Sequence, residues 1–425
     1  MDTATVRDWA TSNGTNVEKG ADHKLSLTSK LIRFRWNNSP AVAVGSDADA
    51  KTRINSVLDG IAWSLERYPR DGMLHLIVGT PGHDSPTDSQ REQLGAIGTL
   101  IASLASGPHV HLWQIDLSGK LRELEARAAT FTNDKPKAWV KMLLTAREAD
   151  PGGLAGMLVE AIDHPAAALY PKLSSQTTKE PWQIRIDGLD IGRVGTTTGT
   201  LRLATTKLAA PGKPREQWLK IVGQASQPFN AQSLAEMVKT TRRLIETFAS
   251  GHASGNVLDH GQPEHALEAH VLSGRLQLAT GTGPLRLAIP NTDGVLRAAQ
   301  FPTLWGDVTR PARYLDALLA DEAGRPWAIE LKDQDAGGGH GAYLRAGIGQ
   351  AVLYRHYIRS VEELRTWFRH HRLDHVKCEA ALAFPTASPA AAATIARHVE
   401  LADRYGVQVL QFPRPGSQQE GIELT

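Results

Sequence analysis

Cysteine is almost absent from this chain, since Cys378 is the single cysteine among 425 residues. One cysteine excludes an intramolecular disulfide and any zinc site built from several cysteines, and it is typical of a protein kept in a reducing cytoplasm. An excess of charge is also lacking, because the formal net charge is only +2. No overall electrostatic attraction therefore selects a partner, and any surface for nucleic acid must come from local clustering of basic residues.

Long apolar runs are missing as well. No uncharged run approaches the roughly 20 apolar residues that span a bilayer, and the polar start MDTATVRDWATSNGTNVEKG has no apolar segment typical of a signal peptide. We therefore expect a cytoplasmic protein without membrane association. Hydrophobic residues make up 41% and charged residues 22% of the chain, which predicts a globular protein with a substantial core.

Strands alternate with helices along much of the chain, which predicts an α/β protein of two or three domains. We expect a flexible arm at 1–23, an α/β N-terminal domain at 24–165 and a mixed α+β region at 166–250. That mixed region either stands alone or belongs to the N-terminal domain. A second compact core at 251–415 reads helix, strands, helix, strand, helix, strand, and a tail follows at 416–425. The linker-like SGHASGN marks the main boundary.

The stretch YLDALLADEAGRPWAIELK in the second core consists of two apolar strands that carry charged residues. Side chains of a strand alternate between faces, so Glu330 and Lys332 lie on the same side. If DEAGR forms the turn, Leu319 pairs with Trp327 and Asp316 stands directly across from Glu330. Directly opposed side chains are about 5 Å apart at Cβ.

Two carboxylates at that distance repel each other, and burying them unpaired costs free energy. A divalent cation removes both problems, and Mg²⁺ is typically held by one or two carboxylates with waters and phosphate oxygens. A nearby lysine can orient a metal-bound water or stabilise charge on a phosphate. Asp316, Glu330 and Lys332 therefore predict metal-assisted phosphodiester hydrolysis. The alternative is an exposed hairpin whose charges pair in water, but the apolar ALLA and WAI favour strands covered on both faces.

These residues resemble the motif of the PD-(D/E)xK, or restriction-endonuclease-like, nuclease superfamily. The family pattern is an Asp at the start of one strand and Glu-x-Lys on the next, here Asp316 and Glu330-Leu331-Lys332. The residue before Asp316 is Leu315, where the family name has proline. The resemblance covers roughly residues 262 to 413. It implies a restriction-endonuclease-like core, a mixed sheet flanked by helices, preceded by a separate α/β N-terminal region.

The resemblance also implies further site residues. The family usually has an acid on the preceding helix, for which Glu268 is the first candidate and Glu264, one turn earlier, the second. The RecB-like branch carries a Gln-x-x-x-Tyr motif on the following helix, which matches Gln350 and Tyr354. A spacing of four residues puts both on one helix face. The residues implied for the site are metal ligands Asp316, Glu330 and Glu268, with Lys332 and Gln350 as further catalytic residues.

A basic segment follows the hairpin, and it suggests contacts with a phosphate backbone. The candidates for nucleic-acid binding are Arg345, Tyr354, Arg355 and Arg359. The alternative for the more distant arginines is an ordinary solvated helix face.

The hypothesis from the sequence is a Mg²⁺-dependent nuclease, with Mn²⁺ as a substitute and with DNA favoured over RNA. The setting suggested by the family is antiviral (anti-phage) defence, restriction or DNA repair. The N-terminal region would recognise substrate, partner protein or a signal ligand, and cutting both strands would favour a homodimer. Two alternatives remain open: a catalytically inactive nucleic-acid-binding or assembly module, and a ligand-gated nuclease whose N-terminal sheet binds a nucleotide.

Overall fold

The structure is a computed structural model. It describes residues 2–18, 31–46, 50–80, 88–131, 153–164, 167–171, 182–186, 188–194, 200–202, 226–228, 234–236, 238–239, 242, 263–291, 294–303, 313–333, 340–386 and 391–413. Within these ranges, none of the helices combines the length and the hydrophobicity needed to cross a bilayer.

The N-terminal region is a five-stranded α/β sheet whose strands lie side by side in chain order. The strands are β1 Leu31–Trp36, β2 Ser39–Val44, β3 Met73–Gly79, β4 His109–Ile115 and β5 Leu121–Leu124. Strands β2, β3 and β4 are parallel, and the two outer strands are antiparallel to their neighbours. Parallel neighbours need a crossover connection, which helices α2 (Ala50–Arg67) and α3 (Asp88–Ala102) supply. The predicted α/β class is confirmed.

Helix α1, Thr3–Asn13, corrects the described part of the flexible arm predicted for residues 1–23, of which residues 19–23 lie outside the described ranges. Val6 and Ala10 are four residues apart and fully buried against the face of the first sheet opposite to α2. The side chain of Asp2 accepts a hydrogen bond from the backbone N–H of Thr5, which caps the helix. The prediction failed because two small apolar residues in a polar segment give only a weak helical pattern.

A second, antiparallel sheet occupies the middle of the chain, after helix α4 (Gly153–Ile162). Its strands, again in chain order, are β6 Ala167–Pro171, β7 Trp182–Ile186, β8 Leu189–Val194, β9 Thr200–Arg202 and β10 Ser226–Pro228. Leu169 of β6 donates its N–H to the carbonyl of Gly294 at 2.9 Å and accepts from the N–H of Leu296 at 2.9 Å. The mixed region is therefore bonded to the C-terminal part of the chain. The predicted boundary at 250 lies outside the described residues.

The C-terminal region is built around a six-stranded mixed sheet in the order β13-β15-β16-β17-β18, with β14 also paired to β15. Strands β15 and β16 form an antiparallel hairpin, whereas β16, β17 and β18 are parallel. A mixed sheet flanked by helices is thus confirmed. The strands of the C-terminal region are β11 Ala279–Thr280, β12 Gly283–Pro284, β13 Arg286–Leu287, β14 Ala299–Thr303, β15 Arg313–Ala320, β16 Pro326–Leu331, β17 Glu379–Pro385 and β18 Val407–Phe412. Its helices are α5 Pro263–Leu272, α6 His340–Ser360, α7 Arg365–His370 and α8 Ala392–Arg404. Two 3-10 turns, at Glu362–Leu364 and His375–Lys377, flank α7.

Helix α6 lies between the first sheet's helices and the C-terminal sheet. Ile54, Leu58 and Ile61 recur along one face of α2 at helical spacing. They belong to the same buried cluster as Ile348 and Val352 of α6 and as residues of β15, β16 and β17. The N-terminal and C-terminal regions therefore share one hydrophobic core.

The turn after β7 makes a close contact that leads to a stability prediction. Gly188 has a φ of +86°, and a Cβ there would lie 2.0 Å from the carbonyl oxygen of His265 on α5. Gly188→Ala is expected to lower the free energy of unfolding by about 1 to 3 kcal/mol, because overpacking and left-handed strain act together. Gly72→Ala is the matched control, since a Cβ there meets nothing within 4 Å. Denaturant unfolding of both variants measures the difference, and equal losses would contradict this packing.

Candidate active site

The end of the β15–β16 hairpin brings Asp316 and Glu330 together. Leu319 pairs with Trp327, as predicted, and the backbone ladder continues to Ala317 opposite Ile329. Beyond that pair, Oδ2 of Asp316 accepts a hydrogen bond from the N–H of Leu331 at 2.8 Å. The carboxylate thus takes over a backbone bond where the two strands separate, and its position is fixed by the hairpin.

Glu264, in the first turn of α5, supplies a third acid. One carboxylate oxygen from each of Glu264, Asp316 and Glu330 lies within 4.8 Å of the other two, a group that could hold a metal ion. Glu330 is only 1% exposed, whereas the side chain of Glu264 is 33% exposed. The site is therefore closed on the sheet side and open to solvent at α5.

The preference for Glu268 over Glu264 is corrected by the structure. Oε2 of Glu268 accepts a hydrogen bond from Nη1 of Arg185 on β7 at 3.2 Å, in a buried ion pair. The same Arg185 lies with its Cζ 4.3 Å from the ring centroid of Tyr170 on β6. Glu268 lies one helical turn further along the same face of α5, where Arg185 of the middle sheet pairs with it, while Glu264 pairs with Lys332 of the hairpin.

Lys332 lies at the centre of the acidic group. Its Nζ donates to Oε1 of Glu330 at 2.5 Å, to Oε1 of Glu264 at 2.7 Å and to the carbonyl of Leu331 at 3.1 Å. These three bonds use all three donors of the ammonium group. Lys332 is 4% exposed, so its charge depends on the neighbouring carboxylates for stabilisation.

The electrostatics follow from this crowding. Burial raises the pKa of Asp316 well above its ordinary value, and repulsion from Glu330 raises it further, while Lys332 opposes both. Burial alone would lower the pKa of Lys332, but the negative charges of Glu330 and Asp316 outweigh it and hold that pKa well above its ordinary value. The lysine is therefore a cation at neutral pH.

Tyr343 is a site residue that sequence reasoning missed. Its hydroxyl donates to Oε2 of Glu264, and Nζ of Lys332 lies 5.2 Å from its ring centroid, within cation–π range. Burial is the main reason that the pKa of Tyr343 is raised, so the phenol stays protonated and acts as a donor. Its position in the first turn of the helix after Glu-x-Lys was the signal that could have found it.

Gln350 and Tyr354 lie on one face of α6, as predicted, because Nε2 of Gln350 donates to the Tyr354 hydroxyl at 3.1 Å. Tyr354 is 1% exposed and belongs to the shared core. That burial contradicts its predicted contact with nucleic acid. Gln350 is half-buried, and its described hydrogen bond is the one to this tyrosine.

The three predicted nucleic-acid-binding arginines also have structural partners. Arg345 is 7% exposed and pairs with Asp59 of α2 at 2.8 Å, which contradicts a phosphate contact. Nη2 of Arg355 donates to the carbonyl of Tyr405 at 2.7 Å, and Nε of Arg359 donates to the carbonyl of Cys378 at 2.6 Å.

Arg359 lies at the other end of α6 from the acidic group. Arg359 comes 16 positions after Tyr343, which corresponds to about 24 Å along a helix that rises 1.5 Å per residue. Its ion pair with Glu379 places it at the start of β17, which pairs with the start of β16 at Trp327. Arg355 and Arg359 therefore contact the opposite end of the sheet and do not line the acidic site.

Comparison with known proteins found no matching family model, no matching curated protein and no matching solved structure. The function proposed below therefore rests on the geometry of the site.

Asp316 leads to a prediction of pH-dependent stability. Between its ordinary pKa of 3.8 and the raised folded value, the folded protein keeps a proton that the unfolded chain has released. The unfolded state then binds fewer protons, so this group lowers stability as pH rises through that window. With EDTA present, Asp316→Asn is expected to exceed wild type in free energy of unfolding at pH 7 by about 1 kcal/mol or more, with no gain near pH 4.

Asp321 in the same hairpin is the control for that measurement. Its burial acts to raise its pKa, but hydrogen bonds from Arg325 hold the pKa below its ordinary value, and Nε of Arg325 lies 2.6 Å from its Oδ2. Asp321→Asn should therefore destabilise the protein at pH 7 and do so less at pH 3, because a lowered pKa contributes stability that is lost on acidification. Asp316→Asn behaving in the same way would contradict the arrangement.

Proposed function

We propose that the chain is a Mg²⁺-dependent nuclease that hydrolyses phosphodiester bonds, with DNA as the favoured substrate. The observation that carries the proposal is the cluster of Glu264, Asp316, Glu330 and Lys332. Three carboxylates within 4.8 Å of one another come from three separate elements, and a lysine donates to two of them. Acids that bind a divalent cation, beside an ammonium group, are the parts that metal-assisted phosphodiester hydrolysis requires.

The donor set fits Mg²⁺. Oxygens bound to one Mg²⁺ at about 2.1 Å lie at most about 4.2 Å apart, so the three carboxylates need only small side-chain rotations. Hard carboxylate oxygens are also the ligands that this ion prefers. When bound, the ion would polarise a phosphate oxygen and make a water molecule more acidic. Glu264, Asp316 and Glu330 would hold it.

Lys332 would have a second role next to phosphate. In the described arrangement its ammonium neutralises Glu264 and Glu330. If those carboxylates bind a cation, the ammonium can donate to the attacking water or to a phosphate oxygen instead. Tyr343, bonded to the other oxygen of Glu264, keeps that carboxylate oriented towards the hairpin.

The element order supports a restriction-endonuclease-like core. Helix α5 carries the extra acid, the hairpin carries Asp316 and Glu-x-Lys, helix α6 carries Gln350 and Tyr354, and a parallel strand follows. This matches the order of motifs implied by the family. The family also suggests a role in anti-phage defence, restriction or DNA repair, with the N-terminal region as the recognition or regulatory part.

Cleavage assays test the function. Wild-type protein should nick plasmid or cut single-stranded DNA with Mg²⁺ or Mn²⁺ and lose activity with EDTA. Asp316→Ala and Lys332→Ala should each lower the rate by about 100-fold or more, since the first removes a ligand of the cation and the second removes the ammonium group, and both positive charges would stabilise the reacting phosphate. Equal activity in all three proteins would contradict the site. No cleavage of DNA or RNA by wild type would favour the inactive binding module.

Metal binding separates Glu264 from Glu268. Glu264→Gln should weaken Mn²⁺ binding, measured by calorimetry or by the electron paramagnetic resonance of free Mn²⁺, by about 10-fold or more, a loss of about 1.4 kcal/mol. Glu268→Gln is the matched control on the same helix, because Glu268 pairs with Arg185. Circular dichroism should show both variants folded. A larger loss from Glu268→Gln would restore Glu268 as the ligand.

A further inference from the structure

We propose that Asp59, in the N-terminal half of the chain, is a positioning residue for the site at the end of the hairpin. It acts through Arg345 on the turn of α6 that carries Tyr343. This inference rests on the proposed nuclease function for its effect on activity, but the effect on Tyr343 is measurable by itself.

Asp59 is the shared partner of two arginines from different parts of the fold. Its Oδ2 accepts from Nη2 of Arg33 on β1 at 2.7 Å, and its Oδ1 pairs with Nη2 of Arg345 on α6 at 2.8 Å. Asp59 is 5% and Arg345 is 7% exposed. Removing one partner from a buried ion pair leaves an uncompensated charge, so α2 and α6 are strongly tied at this point.

Arg345 is held from a second side by α8. Its Nη1 lies 3.3 Å from Nε2 of His398. Arg345 comes two residues after Tyr343, about 200° around a helix of 3.6 residues per turn. The same turn of α6 therefore presents Tyr343 to the acidic site on one face and Arg345 to α2 on the other.

Two glycines show how tightly this part of α6 is enclosed. A Cβ on Gly347 would lie 3.2 Å from Cγ of Lys332, and a Cβ on Gly349 would lie 2.8 Å from Cδ1 of Leu58. The helix backbone thus contacts the stem of the site lysine on one side and α2 on the other. Close-packed interiors transmit small shifts, because they contain little free volume.

Loss of the Asp59 charge should therefore move the Tyr343 turn. A shifted turn changes the bond from the Tyr343 hydroxyl to Glu264 and the space available to Lys332. Displacements near 1 Å can lower a catalytic rate by about 100-fold even when the altered residue is remote from the chemistry. Asp59 itself contacts none of the acids in the group.

The test compares Asp59→Asn with Asp71→Asn. Asp71 pairs with Arg35 of the same strand β1 at 3.3 Å, so it controls for the loss of an ion pair in the first sheet. The first readout is the ¹⁹F resonance of fluorotyrosine at position 343, assigned with Tyr343→Phe. Asp59→Asn should shift or broaden it, and Asp71→Asn should leave it unchanged. An unchanged resonance in Asp59→Asn would overturn the inference, whether or not the protein is a nuclease.

The second readout is activity and metal binding. Asp59→Asn should lower kcat by about 10- to 100-fold with little change in KM, and should weaken Mn²⁺ binding. Its effect should be non-additive with that of Tyr343→Phe in a double-mutant cycle. Additive effects, or an equal loss in Asp71→Asn, would overturn the inference. Wild type that neither binds Mn²⁺ nor cleaves would overturn the proposed function, while the fluorine result would still decide the positioning.

Gly349→Ala provides a variant that keeps every charge. Its added methyl would press against Leu58 and displace the same part of α6 by volume alone. It should shift the Tyr343 resonance and lower kcat in the same direction as Asp59→Asn. If Asp59→Asn fails to fold, this variant decides: an unchanged Tyr343 resonance would show that α2 does not position the turn.

Discussion

The balance between one buried ammonium and three carboxylates is the constraint on which the site depends. Lys332 and Glu330 are 4% and 1% exposed, and neither charge would be tolerable there without the other. The balance requires that the end of β16, the start of α5 and the start of α6 converge on one point. These three elements of the C-terminal region are thus held together by electrostatics as well as by packing.

Helix α6 transmits that constraint to the rest of the molecule. Its first turn supplies Tyr343 to the acids, and its buried residues belong to a cluster that continues into α2 and α3. A helix enclosed on both sides cannot shift on one side alone. The packing of the first sheet's helices is therefore continuous with the packing around the site, although the sheet ends about 190 positions before the hairpin begins. A recognition or regulatory role for the N-terminal region has a direct physical route through α6.

The features that depend on local geometry could be predicted from the sequence. Two apolar strands and a short turn determine the pairing of Leu319 with Trp327, and this register brings Asp316 and Glu330 together. The four-residue spacing likewise placed Gln350 beside Tyr354. The choice between Glu264 and Glu268 was different, since both lie on α5. That choice depends on Arg185 of β7, which forms a buried ion pair with Glu268. The sequence around α5 gives no indication of this partner, because Arg185 lies about 80 positions earlier.

The prediction that arginines of α6 bind nucleic acid failed for a related reason. A charge pattern reports where basic residues lie along a helix, but not whether their donors are already used. Arg355 and Arg359 bond to carbonyls that precede β18 and β17, where strand starts leave backbone acceptors that need partners.

Because the strands are parallel, those starts lie at the opposite edge of the sheet from the acids at the end of β16. Arg355 and Arg359 of α6 thus donate hydrogen bonds to backbone carbonyls at one end of the parallel strands, while the acids lie at the other end. Lys332 is the basic side chain within the proposed site, and further positive charge near a bound phosphate would have to come from elements other than the middle of α6.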